Sequence, residues 1–141
     1  MTMRLKLYTL LCASFLFLFT SCNQDDDPVP PEAGSKTVLV YIVADNSLAS
    51  FAKEDVEEMI EGMKLVGSSS CNLLVYQDDR NTPVLFRIAK DKKGNVEKEI
   101  IKEYAEQVST DVSVMKEVMH RAFYEYPADS YGLVYLSLIH I

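Results

Sequence analysis

The eight residues from Thr37 to Ala44, Thr-Val-Leu-Val-Tyr-Ile-Val-Ala, constrain the fold more than any other stretch of the chain. They carry no charge and are rich in β-branched and aromatic side chains. Such a run suits a strand covered on both faces, as in a parallel sheet flanked by helices, because neither face tolerates water. It stops at Asp45-Asn46-Ser47, whose short polar side chains bond nearby backbone groups and favour turns and helix starts. A buried strand therefore delivers polar groups to one sheet edge. In open α/β sheets, sites lie beyond the carboxyl ends of the strands, which makes Asp45 and Asn46 candidates for the rim of a site.

Beyond that corner, the spacing predicts a helix from Ser50 to Val66. Ala52, Val56, Met59, Ile60, Met63 and Val66 recur at helical intervals and form one apolar stripe, with Glu57, Glu58, Glu61 and Lys64 on the other side. Ser50 is the predicted cap, Glu54 and Asp55 place negative charge in the first turns, and Gly67 closes the helix. The two methionines read as core residues. After the polar Ser68-Ser69-Ser70 loop, Cys71 to Tyr76 reads as a second buried strand ending in Gln77-Asp78-Asp79-Arg80. The acids Asp78 and Asp79 read mainly as a solvated loop, with contact to a basic substrate or a metal as the sharper alternative. Cys71 opens that strand, away from the expected site, and reads as a small core residue.

Pro83 to Ala89 and Val96 to Tyr104 flank a polar, glycine-containing turn and predict a β-hairpin. A second helix follows. Ser109, Thr110 and Asp111 offer caps, and Val112, Met115, Val118, Met119, Ala122, Phe123 and Tyr126 form a broad apolar face that Pro127 terminates. His120 lies beside that face and reads as a partly exposed structural residue. Ser130 to Tyr135 begins a third strand, read as buried. The pattern is α/β, with a partial, mostly parallel sheet flanked by helices.

The chain has 141 residues, enough for one modest domain with a real core. Its formal net charge is −7, and removal of Arg4 and Lys6 with the first 21 residues leaves about −9. That balance argues against nucleic acid as a partner. Met1 to Lys6 is basic, and Leu7 to Phe19 is apolar apart from Thr9, Cys12 and Ser14. The layout is that of a secretory signal and is too short to span a bilayer comfortably. Phe19-Thr20-Ser21-Cys22 resembles a bacterial lipobox. That resemblance implies that residues 1–21 are a signal peptide, that Cys22 Sγ carries a lipid, and that the protein sits in the cell envelope, anchored at the outer membrane. Residues 22–35 form an acidic, proline-rich tether. Its run Asp25-Asp26-Asp27 reads either as a solvated linker or, by resemblance to lipoproteins of the Bacteroides group, as a surface-export signal. Cys71 is then left without an intrachain partner, and no Cys/His spacing suggests zinc.

Three pieces together resemble the clostripain family of cysteine peptidases, which have a caspase-like α/β fold. They are Val40 to Leu48 with its Ala-Asp-Asn corner, the acidic helix around Glu54-Asp55-Val56-Glu57-Glu58-Met59, and Tyr126-Pro127-Ala128-Asp129-Ser130-Tyr131-Gly132-Leu133-Val134. The resemblance covers Lys36 to Tyr135. It implies a thiolate that attacks a scissile carbonyl, an imidazole that moves the protons, and cleavage of a protein or peptide after arginine or lysine, with carboxylates in the specificity pocket. Calcium is the cofactor such a resemblance admits, and nothing in this chain supports it.

The chain departs from the family pattern after Tyr135. The family's third strand runs into Trp-Ser-His-Gly or similar, and its nucleophilic cysteine ends the next strand. Here the sequence reads Leu136-Ser137-Leu138-Ile139-His140-Ile141, and none of the three cysteines matches the nucleophile. These six residues match the translation of CTG-TCT-CTT-ATA-CAC-ATC, which resembles a transposon end used to prepare sequencing libraries. The expectation is that residues 36–135 are the N-terminal part of a peptidase domain, that residues 136–141 are foreign, and that the chain as written carries no catalytic residue. The alternative is a non-catalytic surface lipoprotein with a caspase-like binding domain. A nucleotide-binding domain is disfavoured, because no glycine-rich loop follows the first strand.

Overall fold

The computed structural model describes residues 35–66 and 71–137. The leader, Cys22 with its tether up to residue 34, the Gly67 helix stop, the 68–70 loop and His140 lie outside them. The elements are β1 (Lys36–Val43), α1 (Ala49–Leu65), β2 (Cys71–Asp78), β3 (Val84–Lys90), β4 (Val96–Glu103), α2 (Val112–Glu125) and β5 (Ser130–Ser137). They build one five-stranded sheet in the order β4-β3-β2-β1-β5. β1 pairs in parallel with β2 on one side and β5 on the other. The hairpin β3-β4 extends β2 antiparallel. The structure is thus α/β, with a parallel centre and an antiparallel wing.

β1 sits inside the sheet because both of its faces are apolar. Leu39 and Tyr41 point to one side, where Leu74, Tyr76, Leu85, Tyr104 and α2 residues Val118 and Ala122 close a core. Ile42 points to the other, where Val75, Phe86, Ile88 and α1 residues Ala52 and Val56 close a second. Each layer buries the alternate residues of the same strands, as the period-2 geometry of a strand requires. Met59, Ile60 and Met63 pack against the second core, as their spacing predicts.

The start of α1 differs from the prediction. Ser50 lies inside the helix and does not cap it. The cap position is Leu48, with no side-chain cap bond, and no acid occupies the first turn. The corner supplies the bond instead. Asn46 Oδ1 accepts from Leu48 N at 2.8 Å, and Ala52 N already donates to Leu48 O at 2.8 Å. The Asx turn runs directly into the helix, so helical bonds begin before Ser50 is reached. Glu54 and Asp55 fall one turn too late to serve the N-terminus. α2 begins as a capped helix should, with Asp111 accepting from Ser113 N at 2.8 Å.

β5 is the second departure. The sequence reads it as buried, yet Leu133 is 45% and Val134 is 51% exposed. β1 lies on one side of it, and among the described residues no strand lies on the other. An apolar run rich in β-branched and aromatic residues favours a strand, but its burial depends on what lies beside and over it. In the hairpin, the turn Asp91–Asn95 places Gly94 at φ 88°, a left-handed conformation that glycine adopts without steric cost. The Asp91 side chain accepts from Lys93 N and Asn95 N.

Candidate functional site

Because β2, β1 and β5 run parallel and in register, their carboxyl ends meet at one edge. Val43 stands opposite Asp78 on one side and Ser137 on the other. The corner Asp45-Asn46 follows directly, held by Ala44 N donating to Asp78 O at 2.6 Å and Asn46 N donating to Ala44 O at 2.7 Å. Arg80 Nη2 donates to Asn46 O at 3.3 Å, tying the two strand ends together. The structure therefore brings Asp45, Asn46, Asp78 and Asp79 to the same edge. Asp45 is exposed, while Asn46 spends its side chain on the turn.

Asp78 is not a solvated loop residue. It closes β2 and is only 3% exposed. Its Oδ1 is buried with no hydrogen-bond partner. Burial pushes its carboxyl above the ordinary carboxylate range, Ser109 pulls it back, and Glu106, Asp45 and Asp79 push it further up. The reason for the burial is the parallel register, which draws the last residue of β2 under the loop before α2. Asp79 is spent locally, accepting from Gln77 Nε2 at 2.8 Å and from Asn81 N at 2.9 Å.

Beneath this edge lies a row of tyrosines. Tyr76, Tyr41 and Tyr135 occupy one register row across β2, β1 and β5. Tyr41 stacks on Tyr76 at 4.5 Å between ring centroids and on Tyr135 at 5.8 Å. Ser109, one of three predicted caps, is buried here instead. Its carbonyl accepts from Tyr41 Oη at 2.8 Å, and its hydroxyl lies 2.6 Å from Tyr76 Oη. Gln107 Nε2 donates to Tyr76 Oη at 3.0 Å. Burial raises both phenols, so they stay neutral and serve as hydrogen-bonding struts. This network escapes a reading of single stretches. Its signal is the sixth residue of each parallel strand, which is tyrosine in β1, β2 and β5.

The edge carries acids and backbone groups without a nucleophile–base pair among the described residues. Cys71 stands opposite Lys36 at the amino end of β2, the far end of the strand from Asp78. It is half-buried and belongs to neither core, short of the small core residue that its strand position suggests. His120 is exposed on α2 and stacks on Tyr124 at 5.5 Å. Neither approaches the strand ends where Asp45 and Asp78 meet. Among the described residues, no group of three or more His, Cys, Asp or Glu is arranged to hold a metal ion.

Solved structures similar to this chain include cysteine proteases. A Bacteroides fragilis cysteine protease is 53% identical, with a TM-score of 0.74, over 76% of this chain and 91% of its own. A secreted C11 cysteine protease from Bacteroides thetaiotaomicron, solved with an irreversible peptide inhibitor, is 55% identical with a TM-score of 0.70. The match covers 74% of this chain but 29% of that one. An inactive zymogen C11 protease from Parabacteroides distasonis is 32% identical with a TM-score of 0.70, over 77% of this chain and 32% of its own. This chain thus spans nearly all of the first relative's chain and less than a third of the other two. Among curated proteins nothing matches. The family model described as the clostripain family matches residues 40–137, from the middle of β1 to the end of β5. The chain belongs to the clostripain family of cysteine peptidases.

Proposed function

We propose that this chain supplies the N-terminal part of the catalytic unit of a secreted, lipid-anchored endopeptidase that cleaves after arginine or lysine. The supporting observation is the family match along the three parallel strands whose carboxyl ends form one edge, joined to 55% identity with a relative that holds a peptide inhibitor. On this reading residues 36–135 are the scaffold and Asp45 and Asn46 sit on the rim of the peptide site. The same reading takes residues 136–141 as foreign to it, although the family match runs on to residue 137. Leu136 and Ser137 extend β5, as an apolar–polar alternation does whatever its origin.

This reading assigns no catalytic role to any residue of the chain. A cysteine peptidase hydrolyses a peptide bond with an activated thiolate beside an imidazole. At the edge described above, the exposed carboxylate of Asp45 suits attraction of a basic side chain. Cys22 carries the lipid and residues 22–35 are the tether between membrane and domain, in line with a relative described as secreted. The same reading puts the domain at the outer membrane.

Two measurements test this. In a chimera, residues 36–135 replace the matched segment of the B. thetaiotaomicron protease. The chimera should hydrolyse reporters with arginine or lysine before the scissile bond, while the full chain alone should not. An inert but folded chimera, or hydrolysis by the chain alone, would sink the assignment. For the anchor, Cys22→Ser should abolish incorporation of labelled lipid; continued labelling would refute it.

A further inference from the structure

The β3–β4 turn lies at the end of the sheet opposite the Asp45-Asn46 corner. β3 runs antiparallel to β2, with Leu73 opposite Ile88, so Lys90 reaches the level of Cys71 and Lys36 at the amino ends of the parallel strands. The turn carries Lys92 and Lys93 beyond it, both exposed. α1 ends at the same pole, because Lys90 Nζ donates to Lys64 O at 3.2 Å and to Val66 O at 2.6 Å. Lys64, Lys90, Lys92 and Lys93 therefore gather there, and Lys36 is exposed at the neighbouring strand end. Beside Lys64, Leu65 is 89% and Val66 42% exposed. Glu61 pairs with Lys64, and Asp91 spends its side chain on the turn. Glu97 and Asp129 also stand at this pole, on β4 and before β5. The excess of lysine is thus concentrated on the turn and the end of α1.

The chain enters the domain at the same pole. Ser35 is buried there, its carbonyl accepting from Ser130 N at 3.3 Å and its hydroxyl from Asp129 N at 3.2 Å. Thr37 Oγ1 donates to Tyr126 O at 2.7 Å and accepts from Asn72 Nδ2 at 3.1 Å. The start of β1 is thereby stitched to β2, β5 and the end of α2, so the entry point is fixed relative to the sheet. From Cys22 to Ser35 the chain can reach at most about 45 Å. The eight residues of β1 then put the Asp45-Asn46 edge about 25 Å further on. That edge gathers Asp45, Asp79 and Glu106 around Asp78, with Arg80 beside them. An acidic end opposite a lysine end makes a charge axis along the strands, which an anionic surface orients.

We propose that the lysine pole formed by the β3–β4 turn and the end of α1 docks on an anionic phospholipid surface, with Leu65 and Val66 at the headgroup layer and the Asp45-Asn46 edge turned away from the membrane. The inference rests on the reading of Cys22 as a lipid anchor. The lipid supplies attachment and the lysines supply orientation, since ammonium groups attract lipid phosphates and exposed apolar side chains settle in the interface. The orientation names a substrate class for the proposed site: polypeptides that arrive from solution, rather than neighbours embedded in the same membrane.

The test uses the full chain matured with its lipid, reconstituted in vesicles of phosphatidylcholine alone or mixed equally with phosphatidylglycerol. Acetylation of each lysine is followed by mass spectrometry. Lys36, Lys92 and Lys93 should react at least about threefold more slowly on the phosphatidylglycerol vesicles and recover in high salt, while Lys53, near the start of α1, reacts alike on both. Lys92→Glu combined with Lys93→Glu should restore the rate at Lys36, and Leu65→Ser should weaken the protection of Lys92 and Lys93. Lys53→Glu should leave the pattern unchanged, and circular dichroism checks that each variant folds. Uptake of labelled lipid reads the anchor by itself. An anchored chain whose pole lysines react alike on both vesicles, or whose protection ignores the turn variants, overturns the docking and leaves the anchor in place. Equal protection on both vesicles also overturns it, because the chain's own Asp25-Asp26-Asp27 run then occupies the pole. A chain that takes up no lipid fails at the anchor, and the docking proposal falls with it.

Discussion

Asp78 shows how a single residue changes character when strands align. Within the sequence it is one of two adjacent acids at a strand end, a pattern that usually faces water. In the fold it is buried, with Oδ1 unpartnered and three other acids nearby. Its folded carboxyl is raised above its unfolded value, so the folded state holds the proton more tightly. Stability is then highest at and below the ordinary carboxyl range and falls as pH rises through the raised value. Asp78→Asn removes that cost while still accepting from Ser109. The variant should be more stable than the parent at neutral pH by about 1 kcal/mol, with the gain shrinking toward pH 4. Urea unfolding at several pH values measures this; a gain that grows on acidification would contradict it.

At the level of elements, patterns that repeat along one segment were the most informative. The stripe Ala52, Val56, Met59, Ile60 and Met63 meets the second core as spaced. The two hairpin arms and their glycine turn also form where the punctuation places them. The helix start was less legible, because two polar groups competed for it. Asn46 won over Ser50 since its side chain closes the turn before the helix is under way. Val56 is 1% exposed and anchors α1 to Phe86 and Ile88. Val56→Ala should cost about 2 kcal/mol through lost burial and the cavity left behind. Glu57→Ala on the exposed side should change stability by less than about 0.5 kcal/mol. Denaturant midpoints of the two variants check the contrast; equal effects would mean that α1 does not pack as described.

The molecule as a whole has two unlike sheet edges. β4 is rich in glutamate and lysine, Val-Glu-Lys-Glu-Ile-Ile-Lys-Glu, and its charges discourage pairing with other chains. β5 reads Ser-Tyr-Gly-Leu-Val-Tyr-Leu-Ser and carries no charge. Leu133, Val134 and Tyr135 remain substantially exposed along it. Such an edge templates further strands. The chain alone should therefore self-associate in a concentration-dependent way, and Leu133→Lys should reduce that association with little change in secondary structure. Light scattering across a dilution series measures both. If parent and variant stay equally monodisperse at high concentration, β5 is not the sticky edge.

The sequence by itself determined which segments become strands and helices, the mixed α/β character, and the meeting of a buried β1 with a polar corner at Asp45-Asn46. Hydrophobic period and turn chemistry are local, so a single strand or helix carries them. The tertiary structure alone decided what the ends of those strands become. Register sets Tyr76, Tyr41 and Tyr135 in one row, draws Ser109 beneath Asp78, and places β5 beside β1 with one flank bare. Each of these depends on distant segments arriving side by side. Burial and hydrogen-bond partnership are properties of the assembled sheet, and no stretch of residues read alone contains them.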